Sequence, residues 1–131
     1  MAVRICVVDD DASFRRLCET ILHGEGFICE FATDANHAPQ QIADSRPDLV
    51  IMDLRLGDAD GAEVLTAIKE SSTTREIPVL ICSASRDLVD RHRALLERLG
   101  CDVVEKPFGI DDLLAAIERC LSPIEEPNGA Q

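Results

Sequence analysis

Five short apolar runs, "VRICVV", "FICEF", "DLVIMD", "PVLICS" and "CDVV", alternate along this chain with segments that read as amphipathic helices. Runs this short and rich in β-branched residues suit strands buried on both faces. Their alternation with helices places parallel strands in one sheet with helices on either side. The fold class expected is α/β, a doubly wound five-stranded parallel sheet with five helices. Right-handed crossovers make the first and third strands neighbours in the simplest such order. At 131 residues the chain is one ordinary domain, long enough to bury roughly two-thirds of its unfolded surface.

The helical segments carry the i, i+3, i+4, i+7 spacing of a buried stripe. In the first it is Phe14, Leu17, Cys18, Ile21 and Leu22, with Gly24 as the expected stop. In the fourth it is Leu88, His92, Leu95, Leu96 and Leu99, stopped by Gly100, and in the fifth Leu113, Ala116, Ile117, Cys120 and Leu121. The second helix is expected to be the shortest and to begin no earlier than about Asn36, because Pro39 is tolerated only in a first turn. After Leu121 the stretch "SPIEEPNGAQ" has two prolines, a glycine and no apolar period. The domain is therefore expected over 1–121, with 122–131 a disordered tail or linker stub.

The formal net charge of −12 argues against direct contact with nucleic acid, which needs a Lys/Arg footprint. The N-terminus has no apolar h-region, and no stretch approaches the ~20 apolar residues of a membrane span. Six scattered cysteines, with no C-x-x-C and no close Cys/His spacing, read as small buried hydrophobes in a reducing compartment. A soluble, cytoplasmic protein is expected. His92 reads as a half-buried packing residue. The arginines at 86, 91, 93 and 98 read as charge pairs with Asp87, Asp90 and Glu97 on an exposed helix.

The first run ends abruptly in Asp9, Asp10 and Asp11. Asp11 stands where a helix N-cap is wanted. Ligands of open α/β sheets bind beyond the carboxyl ends of the strands. Asp9 and Asp10 end the first run, Asp53 the third and Ser83 the fourth, and Lys106 follows the fifth. Three clustered carboxylates require a counterion, and hard oxygen donors beside a surface crevice suit Mg²⁺. A carboxylate nucleophile, a metal, an ammonium and a hydroxyl together describe phosphoryl transfer to an aspartate.

These residues resemble the receiver domain of bacterial two-component response regulators. The resemblance rests on the acidic pair in "VVDDD", on "MDLRLGDADG" with Gly61 eight residues after Asp53, on "PVLICSAS" and on "EKPF". It implies a flavodoxin-like sheet of order 2-1-3-4-5, and Mg-dependent phosphoryl transfer from a histidine kinase or histidine phosphotransfer protein onto Asp53. By that likeness Asp10, Asp53 and the main-chain carbonyl of Arg55 ligate Mg²⁺, with Asp9 acting through water. Ser83, the amide of Ala84 and Lys106 bind the phosphoryl oxygens, and the Lys106–Pro107 bond is cis. The domain would then be a signalling switch that catalyses only its own phosphorylation and dephosphorylation, and a phosphorylation-dependent dimer is allowed.

A haloacid-dehalogenase-like phosphatase also uses an aspartate nucleophile and Mg²⁺, but it wants D-x-D-x-[TV], where this chain has Asp9, Asp10, Asp11, Ala12 and Ser13. A flavodoxin wants a Ser/Thr-rich phosphate loop and flanking aromatics, both absent here. Three positions depart from the receiver pattern. Gly57 stands where proline is common, so the loop after Asp53 is expected to be more mobile. Val103 stands where a switch tyrosine or phenylalanine is usual. Arg55 places a long cation where attacking water is faced.

Overall fold

The computed structural model describes residues 2–122. Five parallel strands form one sheet: β1 (Arg4–Val8), β2 (Ile28–Ala32), β3 (Leu49–Met52), β6 (Val79–Ser83) and β7 (Asp102–Glu105). Their spatial order is β2-β1-β3-β6-β7, which is the expected 2-1-3-4-5 once the five sheet strands are counted in sequence. Two further strands, β4 (Arg55–Leu56) and β5 (Ala59–Asp60), pair antiparallel as a small separate hairpin directly after β3. No strand signal marked them, because two residues are too few to show a period.

Alternation along each central strand divides the core into two layers. Ile5 and Val7 of β1, Leu49 and Ile51 of β3, and Leu80 and Cys82 of β6 face one side, with α1 (Ala12–Gly24) and α6 (Ile110–Leu121) packed over them. Cys6, Val8, Val50, Met52, Val79 and Ile81 face the other, under α2 (Ala38–Ser45), α3 (Gly61–Glu70), α4 (Arg86–Arg91) and α5 (Arg93–Arg98). Both faces being covered is why these strands are apolar throughout and not alternately polar.

Several expectations for the helices change on contact with the packing. Helix α1 buries Phe14, Cys18, Ile21 and Leu22, but Leu17 is 46% exposed. It sits on the rim of the stripe, where it lines a groove with Phe14, Lys106, Pro107 and Phe108. Gly24 is the last helical residue, and the left-handed stop is Gly26 at φ 84°. There the Phe27 N–H returns to the Leu22 carbonyl at 3.0 Å and the Gly26 N–H to His23 at 3.0 Å, the bonding of a Schellman turn. Gly100, at φ 71°, closes α5 the same way through Cys101 and Leu96.

The single fourth helix is in fact two pieces of six residues, α4 and α5, joined at His92. His92 takes φ −105° and ψ 14°, and its Nε2 lies 2.8 Å from Asp60 Oδ2. Its half-buried packing role holds, with a hydrogen-bond partner added. These two pieces, and not the eight-residue α2, are the shortest helices among the described residues; α2 does begin at Ala38 with Pro39 in its first turn. Arg93 pairs with Asp90 at 2.8 Å as expected, whereas Arg86 reaches across to Glu105 on β7 at 2.9 Å.

The cysteines are all free. Cys6, Cys18 and Cys82 are buried, while Cys29, Cys101 and Cys120 are only partly so. Burial pushes the thiols of Cys6 and Cys18 up to about 12, so they behave as hydrophobes and not as nucleophiles. Among the described residues no helix is long and apolar enough to cross a membrane. The expectation for the tail falls beyond Ser122, outside the described residues.

Gly61 begins α3 where that helix meets the end of β3. A Cβ there would press on the Asp53 carbonyl oxygen and lie 2.9 Å from Leu54 Cα, both backbone atoms that cannot swing aside. Gly61→Ala is expected to lower the unfolding free energy by about 1–3 kcal/mol, as overpacking does. Gly24→Ala, with nothing within 4 Å of the added carbon, should be neutral or stabilising by up to about 1 kcal/mol. Urea unfolding of the two variants checks the contrast.

Candidate functional site

The ladder of the sheet runs one residue past several strand ends and fixes where the polar side chains emerge. Asp9 N–H donates to the Ala32 carbonyl at 3.2 Å, Asp53 N–H to Val8 at 3.2 Å, and Lys106 N–H to Ser83 at 2.9 Å. Asp9, Asp53 and Lys106 are thereby held at the carboxyl edge, around the ends of β1, β3 and β7. The Lys106–Pro107 peptide bond is cis.

Lys106 Nζ lies 2.9 Å from Asp9 Oδ2 and 3.0 Å from Asp53 Oδ2, bridging the two carboxylates. Asp9 is 1% exposed, and its other oxygen accepts from the Asp11 amide at 2.9 Å. Arg15 Nη1 donates to its carbonyl at 2.9 Å. Asp53 Oδ1 accepts from the Arg55 amide at 3.1 Å. The ammonium also stands over the ring of Phe14, 3.9 Å from its centroid.

The two partners of this ion pair respond unequally. Burial pushes the Asp9 carboxyl above the usual carboxylate range, the single ammonium and the Asp11 amide not fully offsetting it. Burial opposes the charge of Lys106 too, but the hydrogen bonds it donates to both carboxylates, with their charge, outweigh it and hold the ammonium above its ordinary value. One cation has two anions, whereas the more deeply buried anion has one cation and a like-charged neighbour.

Asp10 lines the same crevice as Asp9, Asp53, Arg55, Gly57 and Ala84, yet its carboxylate is engaged elsewhere. Its Oδ2 accepts the Gly57 amide at 2.7 Å. Asp11 caps α1, accepting from Ser13 at 2.9 Å and Phe14 at 3.4 Å. Ser83 is buried, with its hydroxyl accepting from the Ser85 amide at 3.1 Å. The crevice wall above it is formed by Ala84 and Ser85. Among the described residues no three His, Cys, Asp or Glu side chains are gathered tightly enough to cage a metal ion. Lys106 takes up Asp9 and Asp53, and Gly57 takes up Asp10.

A sequence model of the response regulator receiver domain matches residues 5–118. The chain belongs to that family. The receiver is 38% identical over 131 residues to the response regulator MprA of a Mycobacterium species, covering 98% of this chain and 56% of that protein. It is 36% identical over 130 residues to the DNA-binding transcriptional regulator NtrC of Proteus hauseri, covering 97% of this chain and 27% of that one. It thus spans about half the length of the first relative and a quarter of the second. A solved CheY-like receiver domain protein of Methanospirillum hungatei superposes with a TM-score of 0.80 at 27% identity, covering 92% of this chain and 94% of the other. Family and architecture together make this a response regulator receiver domain of two-component signalling.

Two residues of the receiver's site were not legible as such. Phe14 counts by spacing only as core, and nothing in the sequence says that its ring faces Lys106. Gly57 carries the second surprise. It sits in the two-residue turn between β4 and β5 at φ 60°, the left-handed region that such turns require. Its amide is spent on Asp10.

Proline at Gly57 can supply neither that φ nor that N–H. Gly57→Pro should therefore destabilise the domain by at least about 1 kcal/mol and free the Asp10 carboxylate. Urea unfolding, together with the carboxyl ¹³C shift of Asp10, checks both effects.

Proposed function

We propose that this receiver accepts a phosphoryl group on Asp53 from the phosphohistidine of a sensor histidine kinase or histidine phosphotransfer protein, in the cytoplasm. The observation that carries the reading is the Lys106 bridge: in a member of this family, the carboxylate at the end of β3 is held by an ammonium within hydrogen-bond distance. An Asp53 carboxylate oxygen attacks phosphorus. The O–P bond forms as the donor's P–N bond breaks, and the electron pair of that bond stays on the imidazole nitrogen. The charge that Lys106 now shares between Asp9 and Asp53 can pass to a phosphoryl oxygen without leaving the crevice. The Ala84 amide and the Ser83 hydroxyl would take further oxygens, the latter after turning from the Ser85 amide.

The donor set also fits Mg²⁺. All the candidate ligands are oxygens, and the three carboxylates Asp9, Asp10 and Asp53 outnumber the two cations, Lys106 and Arg55, so negative charge is left over. Mg²⁺ keeps several waters and needs few protein ligands, which a preformed cage would not improve. Asp10, Asp53 and the Arg55 carbonyl would hold the ion, with Asp9 through water, and its charge would neutralise the phosphoryl oxygens. Its binding would draw Asp10 away from Gly57. The domain is read as extending over 1–121, acting by change of shape and catalysing only the gain and loss of its own phosphoryl group. Contact with nucleic acid by this acidic domain is not part of the reading.

Val103, on β7, packs half-buried against the α3 and α4 layer. With one short, stiff torsion and no ring to swing, it leaves the segment after Ser83 as the element that responds.

Acetyl phosphate with Mg²⁺ should add one phosphoryl group to the protein, stable to acid and released by hydroxylamine. Asp53→Asn should abolish the addition, since an amide is no nucleophile. Intact-mass measurement checks both, and undiminished labelling of Asp53→Asn overturns the assignment.

A further inference from the structure

Lys106 has three N–H bonds to place, and the two carboxylates account for two of them. The third side of the ammonium meets the face of the Phe14 ring, 3.9 Å from its centroid. That ring is itself fixed. Phe14 is only 8% exposed, and Phe108 meets it edge to face at 5.9 Å and 81°. Its helix is anchored by the Asp11 cap and by the contact of Arg15 with the Asp9 carbonyl. Leu17, Pro107 and Phe108 line an open groove beside the ring together with Lys106, whose side chain is left only 17% exposed.

We propose that Phe14 is a positioning residue for Lys106, its π face holding the ammonium over the carboxylates by a cation–π contact. This deepens the phosphoryl-acceptor reading and rests on it. The two kinds of contact differ in how phosphorylation touches them. Converting Asp53 to its acyl phosphate changes one carboxylate partner, and the charge that Lys106 must follow moves outward onto the phosphoryl group. The ring belongs to α1, away from the reacting bond, and offers the same negative face before and after. Phe14 therefore gives Lys106 a fixed pivot, so that the ammonium shifts from carboxylate to phosphoryl oxygen without being released to solvent. A leucine of similar bulk would fill the space and supply no such face.

The test separates charge from volume. Fluorinated phenylalanines incorporated at position 14 keep the ring's shape and weaken its negative face step by step. The rate of Asp53 labelling by acetyl phosphate at saturating Mg²⁺ should fall with each added fluorine, and by about fivefold in Phe14→Leu, the size of a partly desolvated cation–π contact. Phe14→Tyr should restore most of the parent rate. Equal rates across the fluorinated series, with the parent labelled on Asp53, would overturn the proposal and leave the phosphoryl-acceptor reading standing.

A second readout does not depend on phosphorylation. In the metal-free parent, the Lys106 ε-methylene protons should be shifted upfield by the ring, with the shift lost in Phe14→Leu. Methylene shifts at free-lysine values in the parent would sink the positioning role even if Asp53 proved not to be the acceptor. If Phe14→Leu does not fold, Phe14→Met and the fluorinated series carry the same two readouts.

Discussion

One ammonium between two carboxylates organises the carboxyl edge of this domain. Asp9 is almost wholly buried and Asp53 mostly so. A carboxylate taken out of water without a partner costs several kcal/mol. Lys106 reaches both at 2.9 and 3.0 Å from the far side of the site, which ties the end of β7 to the ends of β1 and β3. The rest of the site is arranged about that tie. The Asp11 and Arg55 amides take the free carboxylate oxygens, Phe14 and Phe108 close the apolar side of the ammonium, and Asp10 is left to the Gly57 amide.

Such a site is poised because its internal cation is modest for the charge it faces. Asp9, Asp10 and Asp53 against the Lys106 ammonium and the Arg55 guanidinium still leave an excess of negative charge at a crevice open to solvent. The burial that pushes Asp9 upward is the same burial that makes an added cation or a transferred phosphoryl group matter energetically. Gly61 contributes from beneath. By letting α3 approach the backbone of Asp53 and Leu54, it sets Asp53 directly against the start of that helix.

The five strands and the helices covering both faces of the sheet were legible because they depend on patterns that span many residues, while the full strand order was legible only through the receiver resemblance. Ile5, Val7, Leu49 and Ile51 announce one face, and Cys6, Val8, Val50 and Met52 the other, whatever their rotamers. The placing of Asp9 and Asp53 at the ends of the neighbouring strands β1 and β3 followed from topology, and Lys106 reaches them from β7, beyond β6. Features resting on a single torsion were not legible. Gly57 stood out in the sequence only as a missing proline, and only the two-residue turn at positive φ shows its amide as a donor to Asp10. His92 fits a continuous apolar stripe, and only the structure shows the helix divided there, with the His92 ring hydrogen-bonded to Asp60. Leu17 fits the stripe of α1 as well as Phe14 does, yet one lines an open groove and the other meets the lysine.

The central claim is that Lys106 makes the burial of Asp9 and Asp53 tolerable. Urea unfolding of metal-free Lys106→Met at neutral pH tests it most directly, because methionine keeps the stem and removes the charge. Leaving two buried carboxylates uncompensated should cost about 2–4 kcal/mol, and adding Asp9→Asn and Asp53→Asn to the same chain should recover most of that loss. A Lys106→Met domain as stable as the parent would contradict the account.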